Sequence, residues 1–325
     1  MKIAFFNSDQ MLNDYFKDKT IQGATMEFIS EPAGVTGAGL DADAISVFVN
    51  SNLDAATLKK FPNLKLIATR STGFNHIDTD YCQERGIKLH NVNGYGEFAV
   101  SEFAIGLMIS LMRKIFTAYQ DMMTGKIDLS KYQGRDIHGK TVGVFGTGTI
   151  GSHFARLAKG FGTRVIAYDR KPNPDLEGMV EFVDLDTLYK ESDIVALNIP
   201  ANAENYHIVD EKAIAKMKRG VVLLNIARGE LIKSGALYDA LISGQVGGVA
   251  QDALELEASM KLAQRIDTLT QDQMEIVLYN KKIMQLDNVL ITPHTAFNSV
   301  EANIRIMDMT YDTLQAFAKS DSPCP

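Results

Sequence analysis

Residues 141–161, TVGVFGTGTIGSHFARLAKGF, constrain the fold more than any other stretch of the chain. An apolar, valine-rich run ends in Gly146, glycines recur at Gly148 and Gly151, and a helical pattern opens at once. The spacing is G-x-G-x-x-G between a predicted strand and a predicted helix. The first glycine permits a tight turn, the second lets the backbone approach a pyrophosphate, and the third allows close helix–strand packing. The free N–H groups of the helix N-terminus then face the phosphates. The next apolar run, RVIAYD, ends in Asp169, 18 residues beyond Gly151 (169 − 151). A carboxylate at about 20 residues is placed to bind ribose hydroxyls, and it repels a 2′-phosphate. NAD is therefore the expected cofactor and NADP the weaker candidate, although Arg170 and Lys171 follow Asp169 immediately and soften the preference.

The pattern around this motif is repetitive in type. KIAFF (2–6), AISVFV (44–49), LKLIATR (64–70) and IKLHNV (87–92) read as strands, with DAATLKKF and IDTDYCQERG between them as helices. A second, more continuously apolar set runs through 141–146, 164–169, 193–199, 220–227, 246–253 and 288–293, as expected of strands covered on both faces. Strand–helix alternation of this kind predicts an α/β fold with mostly parallel sheets. Residues 96–125 join the two sets and read as one long helix, apolar almost all round and therefore buried, either between domains or subunits or, equally compatible with the pattern, inside the core of one domain. The helical pattern over 298–320 is expected to return to the first domain.

Length and composition narrow the class. At roughly 150 residues per domain, 325 residues make about two. Hydrophobic residues at 46% and charged residues at 22% describe an ordinary globular protein, and a net charge of −7 argues against a nucleic-acid surface. The two cysteines fit a reducing compartment and no disulfide framework. The N-terminus turns polar too early for a signal peptide, and no run of about 18 apolar residues occurs. A cytoplasmic protein without a membrane segment is expected.

Three strands of the second set end in reactive side chains: Arg228 after VVLLNIA, then Asp252, Glu255 and Glu257 in QDALELE, then His294 in LITPHTAF. Ligands of such sheets bind at the carboxyl ends of the strands. Each residue alone has a bland reading: a cap, a solvated loop, a core histidine. Together they suit reduction of a 2-keto acid. An arginine holds the carboxylate, a histidine donates the proton, and a carboxylate on the other ring nitrogen orients the imidazole and favours its protonated form. The six histidines show no paired ligand spacing, so no metal is expected.

Eight stretches in order, FVNSNLD, TRSTGFNHID, NGYGEFAVSEFAIGLM, GKTVGVFGTGTIG, NIPANAENYHIV, MKRGVVLLNIARGELI, QDALELE and TPHTAF, resemble the D-isomer-specific 2-hydroxyacid dehydrogenases over nearly the whole chain. The resemblance is greatest to the fermentative D-lactate dehydrogenases. It implies two Rossmann-like parallel-sheet domains: a flavodoxin-like substrate domain of residues 1–97 plus 299–325, and an NAD-binding domain of residues 98–298, with a cleft between them. It implies Arg228 as the substrate-binding arginine, Glu257 as the acid paired to histidine, and His294 as the proton donor, the choice of Glu257 over Glu255 resting on the count from Asp252. Thr72 and Gly73 match the backbone donors to the substrate carboxylate, and Tyr95 a nearby tyrosine, while Asn50 and Phe297 border the side-chain pocket. Thr149 and Ile150 in the glycine loop, Arg170, Pro200, Asn205, Ala227 and Asp252 lie where the family lines its cofactor. A homodimer through the 97–124 helix is also implied, with a short helix or two within 258–288 over the cleft mouth. Pyruvate reduction to D-lactate is the favoured reaction. The alternatives are a longer 2-keto acid, a phosphoglycerate, for which Arg70 is the one extra cation in the pocket loops, or an NAD-sensing corepressor-like binding protein.

Overall fold

The computed structural model describes residues 1–125, 127–257 and 269–321. The chain divides into two compact units, Met1–Tyr95 with Ser299–Pro325, and Gly96–Asn298. In the first, β1 (Lys2–Phe5), α1 (Gln10–Phe16), β2 (Thr25–Phe28), β3 (Ala44–Val47), α2 (Ala55–Leu58), β4 (Leu66–Thr69), α3 (Thr79–Glu84) and β5 (Lys88–His90) follow one another. The strands form one parallel sheet in the order β2-β1-β3-β4-β5. β3 and β4 are buried at every position because helices cover both faces. Leu53, Leu58, Phe61 and Cys82 fill one side, and Leu12, Phe16, Leu314 and Phe317 the other. The last two come from the C-terminal helix (Val300–Asp321), which therefore belongs to this unit. Edge strand β2, TMEF, escapes the sequence reading because it is short, polar in part and nowhere fully buried.

The second unit runs α4 (Glu97–Met112), α5 (Ile115–Thr124), β6 (Thr141–Phe145), α6 (Thr149–Gly160), β7 (Arg164–Tyr168), β8 (Glu181–Phe182), α7 (Leu185–Glu191), β9 (Ile194–Leu197), α8 (Glu211–Lys216), β10 (Val221–Asn225), α9 (Ser234–Ser243), β11 (Val246–Gln251), α10 (Gln271–Ile283) and β12 (Val289–Ile291). Its seven strands are parallel, in the order β12-β11-β10-β9-β6-β7-β8. The order reverses between β6 and β9, the crevice where open α/β sheets bind ligands. Helix starts are encoded locally: Asp184 and Asp210 accept the N–H of Thr187 and Ala213, and Thr270 forms a capping box with Gln273.

One expectation is corrected. Residues 97–124 form two helices, broken at Lys114, which adopts a left-handed conformation (φ 51°). The carbonyl of Met112, which a continuous helix would spend on Phe116, instead accepts the N–H of Arg135 at 2.8 Å. Gly134 lies so close that a Cβ would come within 2.6 Å of the same oxygen. The hydrophobic pattern continues across the break, so the sequence carries no sign of it. α4 is buried along much of its length, whereas α5 has no buried residue.

Within 258–288, α10 lies against α9: the Tyr238 and Tyr279 rings are 5.7 Å apart, with the Lys282 ammonium 5.4 Å from each. Residues 258–268, the remainder of the expected cover, lie outside the described residues.

Candidate active site

The glycine turn joins β6 to α6. Gly146 has φ 96°, and a Cβ there would lie 2.6 Å from the Ile199 side chain and 2.7 Å from the Asn198 carbonyl. A Cβ on Gly151 would lie 2.0 Å from the Gly146 carbonyl, so both positions require glycine. Gly148 differs, because nothing lies within 4 Å of where its Cβ would be. It caps α6 without any side-chain bond to the first-turn N–H groups, and Thr149 beside it is exposed while Ile150 packs into the core. The Oδ1 atom of Asn198, beside this turn, is buried without a hydrogen-bond partner. Open space over orphan N–H donors, next to an unsatisfied acceptor, fits a dinucleotide with its pyrophosphate at the helix terminus.

Asp169 follows β7. One carboxylate oxygen accepts from the Thr147 N–H (2.6 Å) and hydroxyl (3.0 Å), and the other from the Lys171 N–H (2.9 Å). Arg170 turns to solvent and pairs with Glu204 at 2.8 Å. Asn205 closes the turn after β9, donating to the Pro200 carbonyl and accepting from the Asn202 N–H.

Arg228 is half-buried just beyond β10, ahead of a short 3-10 turn (Gly229–Leu231). Buried Asn225 shapes this turn: its amide donates to the Arg228 carbonyl (2.8 Å), and its oxygen accepts from the Ala227 N–H (3.2 Å). The guanidinium itself donates to the Ala227 carbonyl (2.7 Å). The sequence reading missed Asn225, although a polar residue ending an apolar strand is a legible sign of a shaped turn.

The next two strands deliver the remaining set. Glu257, half-buried beyond β11, places Oε2 3.1 Å from Nδ1 of His294, whose side chain is 43% exposed. The backbone of His294 is left-handed (φ 56°), as is that of Leu256 (φ 54°) next to Glu257. Non-glycine residues hold such conformations only where their surroundings over-determine them. Asp252 supplies that constraint for His294. The sequence reading sets Asp252 beside the cofactor; in the structure both its oxygens hydrogen-bond to the histidine turn. Oδ1 accepts from the Thr292 hydroxyl and the Thr295 N–H (2.9 Å), and Oδ2 from the Ala296 N–H (2.8 Å). Phe297 then packs against the core of this unit. Glu255 faces elsewhere, toward His207.

In the first unit, Thr72 and Gly73 follow β4 in a loop pinned by Asn91, whose amide donates to the Thr72 carbonyl (2.6 Å), and by the Thr72 hydroxyl on the Val92 carbonyl (3.1 Å). The Tyr95 carbonyl accepts from Arg305 (2.8 Å), and Asn50 is exposed beyond β3. Arg70 is buried. Its guanidinium donates to the Ser46 hydroxyl and to the Phe6 and Asn7 carbonyls, and burial lowers its pKa to about 10. A side chain so engaged holds strand ends together rather than offering a cation to a ligand.

Comparison with known proteins shows the family. Residues 105–296 match the family model for the D-isomer specific 2-hydroxyacid dehydrogenase NAD-binding domain. The chain is 35% identical to D-lactate dehydrogenase of Escherichia coli over 333 residues, covering 100% of this chain and 99% of that protein. It is 36% identical to an aromatic 2-oxoacid reductase of Clostridium sporogenes, over 91% of this chain and 89% of that one. The crystal structure of D-lactate dehydrogenase from Aquifex aeolicus complexed with NAD and lactic acid superposes with a TM-score of 0.81 at 32% identity, covering 98% and 96% of the two chains. A glycine turn suited to a dinucleotide, three reactive side chains on the same sheet edge and a match across both units lead to one assignment: the chain belongs to the D-isomer-specific 2-hydroxyacid dehydrogenases, oxidoreductases with an NAD-binding domain.

Proposed function

We propose that the protein reduces pyruvate to D-lactate with NADH in the cytoplasm. The observation that carries this reading is the Glu257–His294 pair, 3.1 Å apart, on the sheet edge that also bears Arg228. Bound NADH would supply the hydride, held by the Gly146–Gly151 turn and by Asp169. Arg228 binds the substrate carboxylate through its planar fork and polarises the keto oxygen. The family resemblance gives the backbone N–H groups of Thr72 and Gly73 a part in binding the substrate carboxylate. His294 gives its proton to the keto oxygen as the hydride reaches the carbon, so the product leaves as the neutral hydroxyl and the ring is reprotonated from water. Glu257 holds the ring orientation through Nδ1, leaving the other ring nitrogen to the substrate.

D-lactate is the favoured product because the end-to-end relatives named for it reach 35% identity. A phosphoglycerate is disfavoured, since the Arg70 guanidinium is spent on Ser46, Phe6 and Asn7. The test is NADH oxidation across pyruvate, hydroxypyruvate, phenylpyruvate, branched 2-keto acids and a phosphorylated 2-keto acid, repeated with NADPH. The expected result is the highest kcat/KM for pyruvate with NADH. A higher value for phenylpyruvate would overturn the substrate, and equal use of NADPH would remove the role given to Asp169. Cofactor binding without turnover of any keto acid would instead favour a sensor.

We also propose a homodimer through α4 and α5. Ile115, Phe116, Tyr119, Met122 and Met123 of α5 are all between 46% and 71% exposed, an apolar face of the kind that monomers rarely leave to solvent. Phe116→Glu with Met123→Glu is expected to halve the mass measured by light scattering. A dimer that survives both charges is held elsewhere.

A further inference from the structure

Glu255 is 3% exposed, yet it is a carboxylate two residues from Glu257. A buried charge is tolerated only when its oxygens are hydrogen-bonded, and here the donors come from separate parts of the fold. Oε1 accepts from the Tyr206 hydroxyl (3.0 Å) and lies 2.7 Å from Nε2 of His207, both in the connection between β9 and α8. Oε2 accepts from the hydroxyl of Ser234, the first residue of α9 (2.9 Å). Burial, and then the Glu255 carboxylate to which it donates, push the Tyr206 phenol up to about 12, so this donor keeps its proton throughout the working range.

The backbone of Glu255 is held as firmly. Its carbonyl accepts from the Asn280 amide of α10 (2.8 Å). On its other side lies Gly229, adjacent to Arg228, where a Cβ would sit 2.0 Å from the Glu255 nitrogen. The turns that present Arg228 and Glu257 are thus pressed together at one peptide. His207 is tied into the same knot, its N–H donating to the Glu230 carbonyl (2.8 Å) from a left-handed conformation (φ 53°). Between Glu255 and Glu257 stands only Leu256, left-handed at φ 54°, with the Glu257 N–H closing back on the Leu254 carbonyl (3.2 Å). Replacing a whole buried polar cluster by apolar side chains is often tolerated, whereas removing one member leaves its partners unsatisfied. A carboxylate gripped from two connections at once sets where a strained turn points.

We propose that Glu255 is a positioning residue for the proton-transfer pair: through Tyr206, His207 and Ser234 it fixes the turn that aims Glu257 at His294. This rests on the reading of Glu257 and His294 as that pair. Misplacing a catalytic group by about 1 Å is enough to lower turnover up to about a hundredfold.

The experiment compares Glu255→Ala, Glu255→Gln and Glu257→Gln in the full-length enzyme. It reads kcat and KM for pyruvate from pH 5 to pH 10, and NADH affinity by fluorescence. Glu257→Gln removes the charge that favours imidazolium, so the alkaline limb of pyruvate reduction moves to lower pH. Glu255→Ala is expected to move that limb the same way, with kcat down about tenfold or more and NADH affinity within about twofold. Glu255→Gln is expected to restore most of kcat, since its carbonyl oxygen still accepts from Tyr206 and its amide can donate to Ser234. Should the alanine variant not fold, Ser234→Ala combined with Tyr206→Phe removes two donors and reads the same displacement. A lowered kcat with an unmoved pH profile would leave Glu255 a residue of the fold alone and overturn the proposal. If Glu257→Gln moves the profile and Glu255→Ala does not, only this inference falls. If neither does, the pair itself is misread.

Discussion

Arg228→Gln is expected to lower kcat/KM for pyruvate by about 10²- to 10³-fold, the loss seen when one preorganised donor to a developing oxyanion is removed. Both parameters should suffer, because the proposed role gives one guanidinium two tasks. Binding the carboxylate is common to ground state and transition state and enters KM, whereas polarising the keto oxygen strengthens only as charge develops and enters kcat. Arg228→Lys keeps the charge without the planar fork and should fall between. Because Asn225 grips the main chain of this turn rather than the guanidinium, the glutamine variant should keep its fold and its NADH affinity. Steady-state kinetics with a fluorescence titration of NADH decide the matter. A kcat/KM within about threefold of the parent would remove Arg228 from the chemistry.

His294→Gln should do more, lowering kcat by about 10²- to 10⁴-fold, the range for a positioned general acid. NADH binding should be unchanged, since the ring faces Glu257 rather than the glycine turn. The pH dependence is the sharper measure. In the parent, reduction is expected to fall as pH rises, since only a protonated donor can act; in the variant that descending limb should vanish, leaving a low and flat rate. A limb that persists at its parental position would mean that another group donates the proton.

The sequence made most of the strands (though not the short edge strands β2 and β8), the glycine turn and the chemically loaded strand ends legible, each for a local reason. Burial on both faces writes strands as apolar runs, and only glycine fits at 146 and 151. What it hid was set by distant contacts. The break at Lys114 depends on Arg135 capturing the Met112 carbonyl, which no helical periodicity records. The division of labour within QDALELE is likewise tertiary. Asp252 braces the histidine turn, Glu255 binds Tyr206, His207 and Ser234, and Glu257 meets the ring, although all three are acids within six residues. Counting along the chain could nominate one of them for the histidine but could give the other two no task.

Strand β12 has one further consequence. It is three residues long, lies at the rim of the seven-stranded sheet and is nowhere fully buried, pairing only with β11 among the described residues. His294 hangs from its end. Rim strands open more readily than inner ones, and local opening need not wait for the whole domain. With His294 in its proposed role, inactivation and unfolding are then expected to be separate events. A gentle rise in temperature or denaturant is expected to fray the edge and lower turnover while the circular dichroism of β6, β9 and β10 is still intact, with activity returning on relaxation of the edge without a round of refolding.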